Sequence, residues 1–498
     1  MRKYIQIISF LLAAVTLSGC ENWLDVKPET EVNEDDMFNT EQGFMDALYG
    51  IYVNMGKSDL YGGTLQTALD MTAQYYSYYD ISECPYGHYQ TFEYEHPSCT
   101  AISDALWMRI YYCIGLTNNL LKYLDKPEAV QICSNYDYLR GEALALRAYL
   151  HFELIRIFAP DVKKNPEYKS IPYRKTFSPD IEPQLKVKEV YQEILADLTE
   201  AKQLLSNDVI RTNGPDWLGE SEKKEESDDV TDKNEGYYTS DFLKTRKYRM
   251  YYAVLGTLAR VHLTLGTTDD MEKAYDYAME VIESGKFRPI QEEHILVSGE
   301  QAKYRDILFT DEFIFGLYSA QVDAFYKSNF DESYRVEKIL VNKLSDIYGQ
   351  GTRDLRQTHW FKTSWGTSYL LKHNADLEYA KEKVRMITLA EMYYIAAECL
   401  LRKNDPKAAD YFNAVLESRG LVALDDRIPA ESLTIEKITQ ERYKEFVGEG
   451  QTFFNMKRLN LDIQAITGEI LPAANSIYTV PVPEEEFNYR NEVYDVKQ

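Results

Sequence analysis

The sequence predicts a mostly α fold in which tetratricopeptide-like helical hairpins pack with an irregular, insertion-rich part. Three observations carry that expectation. Apolar residues recur at spacings of three and four along several long runs. Two of those runs are joined, through a turn marked by glycine or proline, to a second amphipathic run, which is the layout of a helical hairpin. The second helices of these two pairs also share residues at one fixed offset, Lys273, Ala274, Asp276, Tyr277, Val281, Glu283 and Ser284 reappearing as Lys407, Ala408, Asp410, Tyr411, Val415, Glu417 and Ser418.

At the N-terminus, Arg2 and Lys3 precede an apolar stretch from Ile5 to Val15. That stretch is too short to span a bilayer as a permanent helix. It ends in Leu17-Ser18-Gly19-Cys20, which resembles a bacterial lipobox. Residues 1–19 are therefore expected to be a signal peptide and Cys20 a lipid attachment site opening one domain over 20–498. Two or three acyl chains, at about 0.8 kcal/mol per buried methylene, hold a protein firmly on a membrane. The alternative is an ordinary signal peptide with a chance cysteine.

Next comes a tyrosine-rich stretch. The chain has 41 tyrosines, and Tyr75, Tyr76, Tyr78, Tyr79, Tyr86, Tyr89 and Tyr94 crowd one segment. Sugars present apolar C–H faces edged by hydroxyls, so flat rings flanked by carboxylates and amides suit them. Asp70, Gln74, Asp80 and Gln90 are candidates for that polar edge, and the competing expectation is that the rings pack a core. Cys84 and Cys99 either close a disulfide loop of about 16 residues or stay as thiols. A zinc site with His88 and His96 is a third reading, weakened by the lack of a Cys-x-x-Cys knuckle. Besides Cys20, the five cysteines Cys84, Cys99, Cys113, Cys133 and Cys399 cannot all pair internally. Cys399, in an apolar helical run, reads as a small buried hydrophobe.

The hairpins follow in order. The first spans 141–205, with helices over 141–158 and 187–205. A charged loop, about 206–245, contains the nearly apolar-free run from Ser221 to Glu235 and is expected to be mobile. The second hairpin, 253–285, has a helix stopped by Gly266 and another capped by Thr268 or Asp269 and ended by Gly285. Glu312 to Tyr318 reads as a short strand. The insertion His359 to Tyr369 holds Trp360 and Trp365, either a stacking platform or a loop pinned to the core by its indoles. The third hairpin, 389–418, precedes a C-terminal segment, about 430–498. Each hairpin leaves an apolar face bare, so they are expected to stack.

Fifty-five basic against eighty acidic residues give a net charge of −25, which repels nucleic acid and anionic membrane surfaces. No second apolar run approaches a membrane-spanning length. The sequence has no His-Glu-x-x-His, no Gly-x-Ser-x-Gly, no P-loop and no dinucleotide fingerprint, so it predicts no enzyme, no cofactor and no metal centre.

Several segments together resemble a known family. Cys20-Glu21-Asn22-Trp23-Leu24-Asp25-Val26-Lys27-Pro28 is similar to the opening of SusD/RagB-type outer-membrane lipoproteins of the Bacteroidetes. Gly141 to Tyr149 resembles the family's most recognisable helix, and Val190-Tyr191 with Ile194 to Leu198 its partner. Glu441-Arg442-Tyr443-Lys444-Glu445, Glu449-Gly450-Gln451 and Lys457-Arg458 resemble the C-terminal motif, with Asn455 where the family commonly has Asp, and Val480 to Pro483 with Glu486 its closing segment. The resemblance implies a nutrient-capture lipoprotein facing the cell exterior at the outer membrane. Such a protein binds oligosaccharides, or in some members peptides, and delivers them to a SusC-like TonB-dependent transporter. A non-nutrient assembly role for the helical repeats is the remaining alternative. Arg147, Glu441, Arg442 and Glu449 are expected to form structural ion pairs. Candidate ligand contacts are Asp70, Tyr75, Tyr76, Tyr78, Tyr79, Tyr86, Tyr89, Trp360 and Trp365.

Overall fold

Runs with apolar residues at helical spacing form helices, and the helices pair as the spacing predicts. The structure is a computed structural model that describes residues 34–78, 80–82, 84–211, 251–330, 339–341, 344–349, 353–373, 376–421 and 427–488. The signal segment, Cys20, Tyr79 and the charged loop from 212 onward lie outside these residues. The longer helices are α1 Glu41–Met55, α2 Thr64–Thr72, α3 Pro97–Leu124, α4 Tyr136–Phe158, α5 Val187–Leu204, α6 Tyr251–Leu265, α7 Thr268–Glu283, α8 Leu389–Arg402, α9 Ala408–Ser418, α10 Ile435–Glu445 and α11 Gln451–Leu459.

The three expected hairpins are α4/α5, α6/α7 and α8/α9, and they stack through α5 on α6 and α7 on α8. Gly266 and Gly285 terminate their helices at φ of +68° and +64°, a left-handed conformation that costs glycine nothing. The cap of α7 is Thr267, one residue earlier than expected, its Oγ1 accepting the Asp270 N–H at 3.2 Å. A further pair, α1 against α3, extends the stack beyond the three hairpins. Its long helix α3 starts with Pro97 in the first turn, after a His96 whose Nδ1 caps the Ser98 N–H.

Helix α4 is buried on nearly every side, the mark of a central helix rather than a surface one. Burial obliges its polar groups to find partners. Arg147 grips Asp197 of α5 through Nε and Nη2 at 2.7 and 2.9 Å. Glu142 accepts the Tyr52 hydroxyl of α1. Gly141 gives the close approach to α5, since a Cβ there would stand 2.8 Å from Leu205 Cγ.

The strands are β1 Tyr76–Ser77, β2 Phe313–Tyr318, β3 Leu340–Val341, β4 Phe361–Ser364, β5 Thr367–Leu370 and β6 Lys383–Thr388, besides a small β7–β8 ribbon, Ile463–Gln464 with Ile470–Leu471. The expected strand at Glu312 begins at Phe313 and pairs antiparallel with β6, which runs straight into α8. The remaining strands form a sheet in the order β1-β3-β5-β4. The tyrosine-rich segment and the tryptophan insertion, nearly 300 residues apart, thus meet in one sheet, with Tyr76 opposite Val341, Val341 opposite Ser368 and Ser368 opposite Thr363.

Candidate functional site

Most of the tyrosine cluster is core. Tyr75, Tyr76 and Tyr89 are essentially inaccessible, Tyr86 and Tyr94 nearly so, and Tyr78 is half-buried. Their hydroxyls find partners inside the protein. Tyr75 donates to the Tyr443 carbonyl and meets Thr452 Oγ1 at 2.6 Å, and its ring stacks on Tyr443 at 4.2 Å. Tyr89 meets Ser103 Oγ at 2.6 Å, and Tyr86 lies 3.3 Å from Thr64 Oγ1. The structure therefore moves Tyr75, Tyr76, Tyr86 and Tyr89 from the expected ligand face to the packing between α2, α3 and the C-terminal motif. A tyrosine ring buries as much apolar area as a phenylalanine once its hydroxyl is satisfied.

Asp70 belongs to the same correction. Fully buried on α2, it accepts the Gly448 N–H at 2.6 Å, the Gly450 N–H at 3.0 Å and the Tyr76 hydroxyl at 3.0 Å. Burial pushes its carboxyl up to about 7, against the opposing pull of those three bonds and of Lys372. From the other side of the α10–α11 loop, Lys372 donates to the Val447 carbonyl at 2.9 Å and to Glu449 at 2.6 Å. One buried carboxylate thus takes the loop's N–H groups and one buried ammonium its oxygens. Gly448 and Gly450 adopt φ of +78° and +68° there, which fits glycine best.

The two tryptophans divide. Trp360 is fully buried, donating Nε1–H to the Ile307 carbonyl at 2.5 Å, with the Lys372 ammonium 3.9 Å above its ring. It is the pin of the insertion. Trp365 is 91% exposed and, with Gly366, makes the two-residue turn between β4 and β5. Both turn residues have positive φ, +53° and +78°, as a type I′ hairpin turn demands. Asn or Gly suits the first of these positions better than a bulky indole. Further back in the hairpin, Thr363 Oγ1 and Ser368 Oγ lie 3.0 Å apart. A flat ring presented to solvent can stack on the apolar face of another ring.

The expected ion pairs form, with one exception. Arg147 pairs as described, Glu441 with Arg356, and Glu449 with Lys372 and, at 3.3 Å, Arg385. Arg442 is buried without an ion pair among the described residues; its guanidinium leans on Phe446 at 5.3 Å, and burial together with Arg458 draws it down to about 10. The centre of the network went unremarked in the sequence. Glu445 binds Arg356, Arg385 and Arg419 together, at 3.0, 3.0 and 2.8 Å. Burial alone raises its pKa, but Arg419, Arg385 and Arg356 outweigh that and hold it well below the usual range. Arg356, Arg385 and Arg419 sit on three separate segments, each with its own local pattern, and only the motif residue Glu445 marked the place.

Cys84 and Cys99 are free thiols, as are Cys113, Cys133 and Cys399, and all are buried. No disulfide joins them. His88 and His96 stack at 3.5 Å, with His88 Nδ1 engaged by Glu93 at 2.6 Å. Among the described residues no group of His, Cys, Asp or Glu is arranged to hold a metal ion.

A family model described as "SusD family" matches residues 167–495, and one described as "Starch-binding associating with outer membrane" matches residues 22–214. Among solved structures, a SusD superfamily protein from Bacteroides thetaiotaomicron is 20% identical with a TM-score of 0.67, over 90% of this chain and 98% of that one. A SusD-like carbohydrate binding protein from Bacteroides vulgatus is 19% identical with a TM-score of 0.65, over 90% and 96%. Surface glycan-binding protein A from Bacteroides thetaiotaomicron is 17% identical with a TM-score of 0.60, over 91% and 98%. At these identities the likeness is one of fold. Among curated proteins no sequence matches.

Proposed function

The chain belongs to the SusD family, and from that premise we propose that it is a lipid-anchored cell-surface protein that binds oligosaccharides without turning them over and hands them to a TonB-dependent transporter. Cys20 carries the anchor, and among the described residues no helix is long and apolar enough to cross a membrane. The observation that carries the binding role is Trp365, an almost fully exposed indole at the tip of the β4–β5 hairpin. Aromatic stacking of this kind contributes about 1 kcal/mol per ring beyond area burial, which suits capture and release. A solved relative in fold is titled a surface glycan-binding protein and another a carbohydrate binding protein, in keeping with this reading.

A peptide ligand is the second reading. Strand β4 is an edge strand of its sheet, and its Thr363 is exposed, so an extended chain has a place to add. Calorimetry of the mature, unlipidated chain against a glycan panel and a peptide panel separates the two. The expected result is heat of binding from oligosaccharides with no change in their chain length. Binding of peptides alone contradicts the glycan reading, and release of shorter sugars contradicts a pure binding role.

A further inference from the structure

Around Arg442 the buried charges do not balance. The other guanidinium groups that act on it, Arg458 and Arg260, are each matched with a carboxylate of α8. Arg260 holds Glu391 through Nε and Nη2 at 2.8 and 2.5 Å. Arg458 holds Glu398 through Nη1 and Nη2 at 2.8 and 2.5 Å, and the partly exposed Arg402 shares that carboxylate at 2.8 Å. The next buried guanidinium, Arg156, pairs with Glu153. The buried carboxylates of Arg442's own helix are engaged elsewhere, Glu441 with Arg356 and Lys444, Glu445 with Arg356, Arg385 and Arg419. Arg442 itself is 5% exposed, and its Nε and Nη1 are shut off from solvent with no hydrogen-bond acceptor among the described residues.

Three buried guanidinium groups, Arg260, Arg442 and Arg458, thus stand against the two carboxylates Glu391 and Glu398. Position 455 is the place where the sequence motif leads one to expect a further carboxylate. Asn455 there accepts from Arg458 Nη2 at 2.6 Å but brings no charge. A guanidinium does not escape the imbalance by losing its proton, since Arg442, even drawn down to about 10, stays charged at neutral pH. A water molecule satisfies an N–H but offsets no charge, and a buried cation without a counter-charge is costly. A single negative charge restores the balance. A divalent oxyanion reverses it instead, and a side chain so closely covered favours a small ion.

We propose that the Arg442 guanidinium binds a small monovalent anion of the halide class, which completes the ion pairing between α8, α10 and α11. Anomalous scattering from crystals of the mature, unlipidated chain grown in bromide tests the site directly. The expected result is a bromide peak within hydrogen-bond reach of the Arg442 guanidinium that disappears in Arg442→Met. Thermal unfolding at fixed ionic strength, with chloride replacing gluconate, tests its contribution to the fold. The melting temperature is expected to rise by about 1 °C for each tenfold increase in chloride above its dissociation constant. That dependence is expected to vanish in Arg442→Met, whatever the variant's absolute stability, and in Asn455→Asp, which supplies the charge covalently. Water alone at the guanidinium, or a bromide peak that Arg442→Met leaves in place, overturns the proposal. So does equal melting of the unaltered chain in chloride and gluconate, or a chloride dependence that either variant keeps.

Discussion

At the scale of single residues, His151 shows how burial turns a titratable group into a structural one. Its Nδ1–H donates to the Arg147 carbonyl at 2.8 Å, its Nε2 accepts the Arg174 N–H at 3.0 Å, and its ring stacks on Tyr173 at 3.9 Å. Burial and the neighbouring Arg147 guanidinium draw its pKa down to about 3, against a backbone bond that pulls the other way. The unfolded chain takes up a proton near 6.5 that the native state refuses until about 3, so this group's share of stability is complete above 6.5 and falls as the pH drops below it. The slope is about 1.4 kcal/mol per pH unit. Over pH 7 to pH 4 the buried His373, also drawn down to about 3, adds its own loss, and in thermal unfolding His151→Gln is expected to remove about one proton's worth of the total slope; an unchanged slope contradicts the assignment. The same reasoning shows why tyrosine patterning misled: the partners of Tyr75 are Tyr443 and Thr452, far along the chain, and no local pattern reveals a contact of that separation.

At the scale of elements, the hairpins were legible because a helix writes its period and its stops locally, as in the apolar run before Gly266. Strand β2 was legible for the same reason. The four-stranded sheet was not, since its two-residue strands β1 and β3 carry no pattern of their own and exist through their neighbours. Nor was the charged hub that joins β6, the end of α9, α10 and the segment just before the insertion. Glu445→Gln leaves the guanidinium groups of Arg356, Arg385 and Arg419 with a neutral centre. Breaking a buried ionic group from one side costs about 3–5 kcal/mol. Chemical denaturation is expected to report a loss of that order, and a loss under about 1 kcal/mol contradicts the structural role given to Glu445.

At the scale of the whole molecule, five buried thiols distribute through the body without cross-linking it. Thiol titration of the chain carrying Cys20→Ala is expected to find almost no reactive cysteine in the native state and five after unfolding without reductant. Three would reveal a disulfide. The family and fold were readable because their motifs recur in order along the chain, whereas the ligand contacts were not. Of the candidates on the insertion, Trp360 became the pin, at the buried end of the short helix Leu355–Trp360, and Trp365 the exposed ring, in the turn between β4 and β5.

The central claim is that this exposed ring captures sugar. Calorimetric titration of the mature chain and its Trp365→Ala variant with the best oligosaccharide of the panel tests it most directly. The expected result is a loss of affinity of about fivefold or more, equivalent to about 1 kcal/mol, with an unchanged melting temperature because the side chain touches no core. Equal affinity in the two proteins would contradict the account.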